Sequence, residues 1–393
     1  MKWASSVSQF EKVEDALEAV VGEVRRELGQ GSVDLALLFL SREQHLGVVG
    51  ETARSLSRCF PNAVLLGCSA GGVIGGGREV EGGLGVALAA ARLPGVSLRP
   101  FHLAPERLPE PGADPSTWRR LVGISEGEAP AFVLLGDPFG AHTESVIHGL
   151  ERAYPGSVQI GGLASGSERP GANLLFLGTQ ALDRGFAGVA LTGDVALDTV
   201  VAQGCRPVGN PMFVTRCREN LLLEVDGRPP AEILKELYAK ADVRERVLFE
   251  SSLFLGIQMN AQKTELGRGD FLVRNLVGSD PETGSLAVGA LLEETQVVQF
   301  QLRDGRTAAE DLHAHLGNYA GDHSGTRGVL LFSCLGRGRH MYGVPNHDSD
   351  AFRRHLGDVP ISGFFCNGEI GPVEGRTFLH GYTSAFGIFR PRD

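Results

Sequence analysis

The sequence predicts an α/β (α+β) fold made of repeated strand–helix–strand–strand modules, with stacked sheets flanked by helices and internal pseudo-symmetry. Three observations carry that prediction. First, one pattern recurs three times: an apolar strand, an amphipathic helix, a second strand, a glycine loop and a third strand. Second, the distance from first strand to loop glycine is 28 residues from Phe39 to Gly67, 26 from Leu135 to Gly161 and 31 from Phe332 to Gly363. Third, glycine supplies 54 of 393 residues, roughly twice the usual 7%. These glycines punctuate apolar runs; they form neither a three-residue period nor a Gly/Ser tail. A doubly wound parallel sheet is the alternative. Short glycine loops between second and third strands argue against it, because they suit antiparallel neighbours and parallel ones need long crossovers.

In the first copy the strand is 35–40, the helix about 48–59 and the second strand 63–66. The loop 67–72 follows, then glycines 75–77 and a third strand over 84–90. The second copy has a strand at 131–135, a helix at about 142–152 and a strand at 157–160. It continues with the loop 161–166 and strands at 173–177 and 186–191. The third copy has a strand at 328–332, a helix at about 348–356 and a strand at 360–365. The loop 366–372 and a strand at about 382–389 close it. Residues 103–116, with four prolines, read as a surface connection.

The stretch 217–316 is less regular. Residues 221–225 form a strand, Asp226-Gly227 a tight turn, and Pro229-Pro230 open a helix over 231–241, since proline suits a first helical turn. Strands at 271–276 and 286–292 flank a turn-rich connection; 297–302 alternates as a strand and 307–316 as a helix. A domain boundary falls near 204–211. The continuous apolar strands predict sheets covered on both faces, and the alternating ones a face that meets water.

Lys and Arg total 37 and Asp and Glu 47, a net charge of −10 with no basic block. That argues against nucleic acid and anionic membranes as partners. No 18-residue apolar run is present, and the N-terminus lacks a signal core. The expectation is a cytoplasmic protein with reduced thiols. Its six cysteines, Cys59, Cys68, Cys205, Cys217, Cys334 and Cys366, form no C-x-x-C pair, and no metal site is expected.

Leu65-Leu-Gly-Cys-Ser-Ala-Gly-Gly72, followed by Arg78-Glu-Val-Glu81, resembles the signature of FIST N-terminal domains. Glu224-Val-Asp-Gly-Arg-Pro-Pro-Ala231, Phe271-Leu-Val-Arg-Asn275 and Val298-Gln-Phe-Gln-Leu-Arg-Asp304 resemble the FIST C-terminal domain. So do Ser333-Cys-Leu-Gly-Arg-Gly338, Gly363-Phe-Phe-Cys-Asn-Gly-Glu-Ile-Gly-Pro372 and His380-Gly-Tyr-Thr383. The resemblance implies an N-terminal domain over 30–205 and a C-terminal domain over 212–390. It implies a stand-alone cytoplasmic sensory module that binds an amino acid or related metabolite between the two. A signalling protein such as a histidine kinase would be its partner. Some relatives are haem-based nitric oxide sensors, and a eukaryotic branch carries an F-box, for which residues before Leu35 leave no room.

Candidate contacts lie at strand ends. Cys68, Ser69, Gly71 and Gly72 line a loop whose backbone amides suit an anion, although the same composition also serves as a packing turn. Cys366, Asn367, Gly368 and Glu369 bring together a thiol, an amide and a carboxylate; Glu369 would receive a ligand amine or cap a helix. Arg337, with Arg339 near it, suits a carboxylate or phosphate, and Cys334 beside it suits a small core position. His380, Tyr382 and Thr383 offer an imidazole, a phenol and a hydroxyl, and Arg274 ends a strand in the middle region. Two rival readings remain. One is an enzyme with Cys366 or Cys334 as nucleophile and His380 as base, with no third orienting residue. The other is a haem sensor using His323, His340 or His347 as axial ligand; no other cofactor is expected.

Overall fold

The computed structural model describes residues 1–41, 49–140 and 142–392. Val48, where the first module's helix is expected to begin, lies outside them. Four sheets and nine helices among the described residues make a mixed α+β fold. The chain forms two compact units: Met1–Val201, His313–Leu379 and Thr383–Asp393 in the larger, Ala202–Leu312 and His380–Tyr382 in the smaller.

Module one of the larger unit is β1 (Lys2–Ser8), α1 (Val13–Leu28), β2 (Leu35–Ser41), α2 (Val49–Cys59), β3 (Val64–Ala70), the hairpin β4 (Gly72–Gly75) and β5 (Arg78–Val80), and β6 (Val86–Arg92). Module two repeats it as β7 (Val96–Leu103), α3 (Pro115–Val122), β8 (Ala131–Gly136), α4 (Thr143–Ala153), β9 (Val158–Leu163), β10 (Leu175–Leu177), β11 (Gln180–Leu182) and β12 (Phe186–Gly193). Module three starts with β13 (Ala196–Gln203). The smaller unit then intervenes with β14 (Cys205–Arg218), β15 (Leu221–Val225), α5 (Pro230–Lys240), α6 (Val243–Ser251), β16 (Leu253–Gln258), β17 (Phe271–Ser279), β18 (Leu286–Val288) and β19 (Val297–Arg303). Module three resumes with α7 (Gly305–Asp322), β20 (Gly328–Cys334), α8 (Arg339–Tyr342), α9 (His347–Leu356), β21 (Ile361–Cys366), β22 (Glu369–Val373), β23 (Arg376–His380) and β24 (Thr383–Arg390).

In each module the first and second strands pair in parallel, and the third runs antiparallel beside the first. The hairpin leaves for another sheet. β4 pairs with β21 of module three, β10 with β3 of module one, and β22 with β9 of module two. The exchange closes a ring. Second and third strands are therefore not the antiparallel neighbours that the glycine loops suggested; the loops release a hairpin to the next sheet instead. The sheets are mixed, which excludes the doubly wound parallel alternative.

The glycines at the shared offset have one job. Gly67, Gly161 and Gly363 sit opposite Leu38, Leu134 and Leu331 on the parallel neighbour. A Cβ there would lie 2.0, 1.9 and 1.8 Å from those leucines' carbonyl oxygens, so only glycine fits. The inner faces of the three sheets share one core, including Phe39, Val133, Ile160, Phe332 and Phe364. Helices cover the outer faces. In α1, Val13, Leu17, Val20, Val24 and Leu28 recur at helical spacing and pack on Leu38, Leu40 and Leu88. Strands covered on both sides read as continuous apolar runs, and β2 and β20 are buried along their full length.

The smaller unit is a closed barrel in the order β14-β15-β18-β17-β16-β19. β14 serves two partners because its register shifts between Val208 and Met212, where Gly209 adopts φ +71°. Among the described residues, no helix is long and apolar enough to cross a membrane.

Candidate functional site

The strand ends of the three modules meet in the larger unit. The Ser165 hydroxyl accepts from the Gly71 N–H at 2.9 Å and donates to the Phe365 carbonyl. The Ser165 N–H donates to the Ser69 carbonyl at 3.2 Å, and Leu163 exchanges backbone bonds with Gly368 (2.9 Å) and Asn367 (3.0 Å). Apart from Phe365 in β21, these are residues of loops 67–72, 161–166 and 366–372, one from each module.

Glu369 opens β22 from this junction and is fully buried. Its Oε2 accepts from the Thr383 N–H at 3.1 Å and hydroxyl at 2.8 Å, and its Oε1 from the Cys366 thiol at 3.4 Å. Burial pushes its pKa up to about 7; the Thr383 and Cys366 donors offset only part of that. Burial and the nearby Glu369 push the Cys366 thiol well up, and the neighbouring Cys334 and Cys68 add to the effect. Such a thiol is a poor nucleophile at neutral pH.

A second buried cluster adjoins it. Arg337, 1% exposed, binds Asp348 with two nitrogens, Nε to Oδ2 at 2.9 Å and Nη2 to Oδ1 at 3.1 Å. Its third nitrogen, Nη1, is buried with no protein partner among the described residues. Asp348 also accepts from the hydroxyls of Ser333, at 3.0 Å, and Ser384, and His347 Nδ1 lies 3.0 Å from its Oδ1. Burial alone would raise Asp348; the Arg337 guanidinium and these donors hold it well below the usual carboxylate range. Glu79 of β5 is pushed up to about 8 by burial and by the Asp348 charge. Its Oε1 accepts from the Ser349 N–H at 2.7 Å in the first turn of α9, and Glu81 Oε2 from the Arg339 N–H at 2.6 Å at the start of α8. The Arg78–Glu81 stretch thus caps two helices of module three with acidic side chains that accept from backbone N–H groups.

Of the residues singled out in the sequence, eleven fall in the larger unit. Cys68 is buried in β3, and Ser69 accepts from the Leu174 N–H at 3.0 Å. Gly72 opens β4, where a Cβ would meet the Val80 carbonyl at 2.6 Å. Cys334 is buried opposite Cys366, Asn367 is exposed, and Gly368 adopts φ +136°. Arg337, Cys366, Glu369 and Thr383 form the clusters above, with Gly71 at the junction. Arg274, His380 and Tyr382 belong to the smaller unit. There Tyr382 donates to Asn275 Oδ1 at 2.5 Å and packs on Phe254, and Arg274 donates to the Val273 carbonyl at 3.3 Å. Asp348, Ser384 and Glu79 were missed. An acid in a helix's first turn reads as a dipole partner, not as a buried ion, so the sequence carries little signal for Asp348.

His323 and His340 are exposed, and His347 lies against Asp348 with Tyr342 stacked on its ring at 3.5 Å.

The fold and the site define a triplicated α+β scaffold with an inserted barrel and a buried acid cluster where its modules join. The chain belongs to the FIST family: the FIST N domain matches residues 34–228 and the FIST C domain residues 230–372. It is similar to the uncharacterized protein Rv0628c of Mycobacterium tuberculosis, 35% identical over 390 residues, which is 99% of this chain and 100% of that protein. It is also similar to the uncharacterized protein Mb0898c of Mycobacterium bovis, 34% identical across 95% of this chain and 96% of that one. An F-box/LRR-repeat protein of Arabidopsis thaliana, At5g63520, is 26% identical over 68% of this chain and 59% of its own length.

Proposed function

We propose that the chain is a cytoplasmic sensory module that binds a small polar metabolite, an amino acid or a relative of one. The binding place is the junction of strand ends, to which FIST N contributes residues 67–72 and FIST C residues 366–369. The observation that carries this reading is Glu369. It is a fully buried carboxylate held by neutral donors, with a pKa of about 7. A ligand ammonium would supply the missing counter-charge and turn it into a paired anion. Arg337 Nη1 would take the acidic end. Binding would favour one arrangement of the junction over another and so present a changed surface to a signalling partner such as a histidine kinase.

Native mass spectrometry of freshly purified protein tests whether a ligand co-purifies. An amino-acid panel then identifies the compound that raises the melting temperature. In Glu369→Gln that shift disappears while the fold is kept. If the variant responds to the compound as the wild type does, Glu369 is not a contact and the reading fails.

A further inference from the structure

The paired helices on the outer faces of the three modules are not closed alike. In module two, Trp118 of α3 packs on Gly149 of α4, where a Cβ would lie 2.2 Å from the indole. In module three, His313 of α7 meets His355 of α9 ring to ring, Nδ1 to Nε2 at 3.0 Å. In module one, a cleft of about 410 Å³ lies between α1 and α2. Gly22 lines it from the middle of α1, and a Cβ on Gly22 would meet no atom within 4 Å. Glycine is the poorest helix former after proline, and no neighbour demands it here.

The cleft has a chemical character. Val13, Leu17 and Val21 give it an apolar floor, and the carboxylates of Glu14, Glu18 and Glu51 line it. Among the described residues, no ion pair engages these three carboxylates. Arg25, at the other end, is already committed: its Nη2 donates to the Cys59 carbonyl at 2.7 Å, and its guanidinium lies 5.5 Å from the Phe60 ring. An apolar floor lined by three carboxylates and one arginine favours a ligand with an apolar body and a positive charge. The volume falls within the roughly 300–1,000 Å³ usual for small-molecule sites.

We propose that the α1–α2 cleft of module one is a binding site for an amphipathic organic cation. Its apolar body lies on Val13, Leu17 and Val21, and its ammonium lies among Glu14, Glu18 and Glu51. This site is separate from Glu369 and does not depend on the reading of that cluster.

The test is calorimetric titration of the full chain with phenylbutylammonium, and with phenylbutanol and phenylbutyrate as neutral and anionic counterparts. The ammonium binds saturably, the alcohol binds roughly tenfold more weakly and the carboxylate weaker still. Glu18→Gln or Glu51→Gln weakens the ammonium roughly three- to tenfold. Gly22→Leu fills the cleft and abolishes binding without lowering the melting temperature. Glu369→Gln leaves the titration unchanged. No saturable ammonium binding, equal affinity for all three probes, or full affinity in Gly22→Leu would each overturn the proposal.

Discussion

Replacing Glu369 by glutamine should change how stability depends on pH. The native pKa of Glu369 is raised from its ordinary 4.5 to about 7, because burial penalises the anion. Between those values the native state keeps a proton that the unfolded chain has released. The stabilising effect of the neutral acid is complete below about pH 4.5 and is lost as pH rises through about 7. A shift of that size corresponds to about 3 kcal/mol for a fully buried group. Glutamine keeps the shape and cannot ionise. In urea unfolding at pH 5 and pH 8, the stability difference between Glu369→Gln and wild type therefore moves by about 2–3 kcal/mol in favour of the variant. Glu79, pushed up to about 8, gives a slope of the same sign in both proteins and cancels in the difference. A difference that stays constant within about 0.5 kcal/mol over that range would show that Glu369 is not a buried titrating acid.

Four further outcomes follow from the geometry. Gly67→Ala, Gly161→Ala and Gly363→Ala each drive a Cβ into a neighbour's carbonyl and should cost at least about 1–3 kcal/mol. Gly22→Ala should stabilise by about 1 kcal/mol; thermal melts compare all four. Arg337→Met leaves Asp348 charged, buried and without its cation, and should cost about 3–5 kcal/mol. Adding Asp348→Asn should recover much of that, and denaturant titration of the single and double variants would show whether it does. With iodoacetamide at neutral pH, half-buried Cys59 should be labelled before Cys68 and Cys366, as read by peptide mass spectrometry. Alkylation of Cys366 faster than a free thiol would restore the nucleophile reading.

The triplication was legible because it rests on local pattern. The apolar strands and the glycines at 67, 161 and 363 recur at similar offsets, and the structure sets each glycine against the same carbonyl of a parallel neighbour. Periodicity does not say which sheet a short strand joins. The partner of β4 lies almost 300 residues away: Gly75 pairs with Ser362. The ring of exchanged hairpins was therefore invisible, and so was barrel closure, which depends on the register shift in β14. Strand β1 and helix α1 precede the repeat as it reads from residue 35, although the apolar spacing of α1 is plain in the sequence. At the site, Glu369 and Arg337 stood out as charges among apolar residues and glycines. Asp348 and Glu79 sit in segments rich in other charges, and only the fold reveals that they are buried.

The repeat also separates what the scaffold needs from what it carries. Counting from the shared glycine, Cys366 stands three residues on, where modules one and two have Ala70 and Ala164. Glu369 faces Gly162, the residue after a shared glycine, and the same place in the other two hairpins is held by Val73, opposite Phe364, and Leu175, opposite Cys68. The same architecture thus forms twice without a thiol or a carboxylate at those places. Modules one and two close their strand ends with serine hydroxyls, the neutral Asn173 amide and backbone bonds. A buried acid that burial raises to about 7 is a cost to the native state at neutral pH. Packing in the sister modules shows that a neutral residue would satisfy the fold. A costly group that the architecture does not require, placed where three modules meet, is the group to expect where a ligand is held.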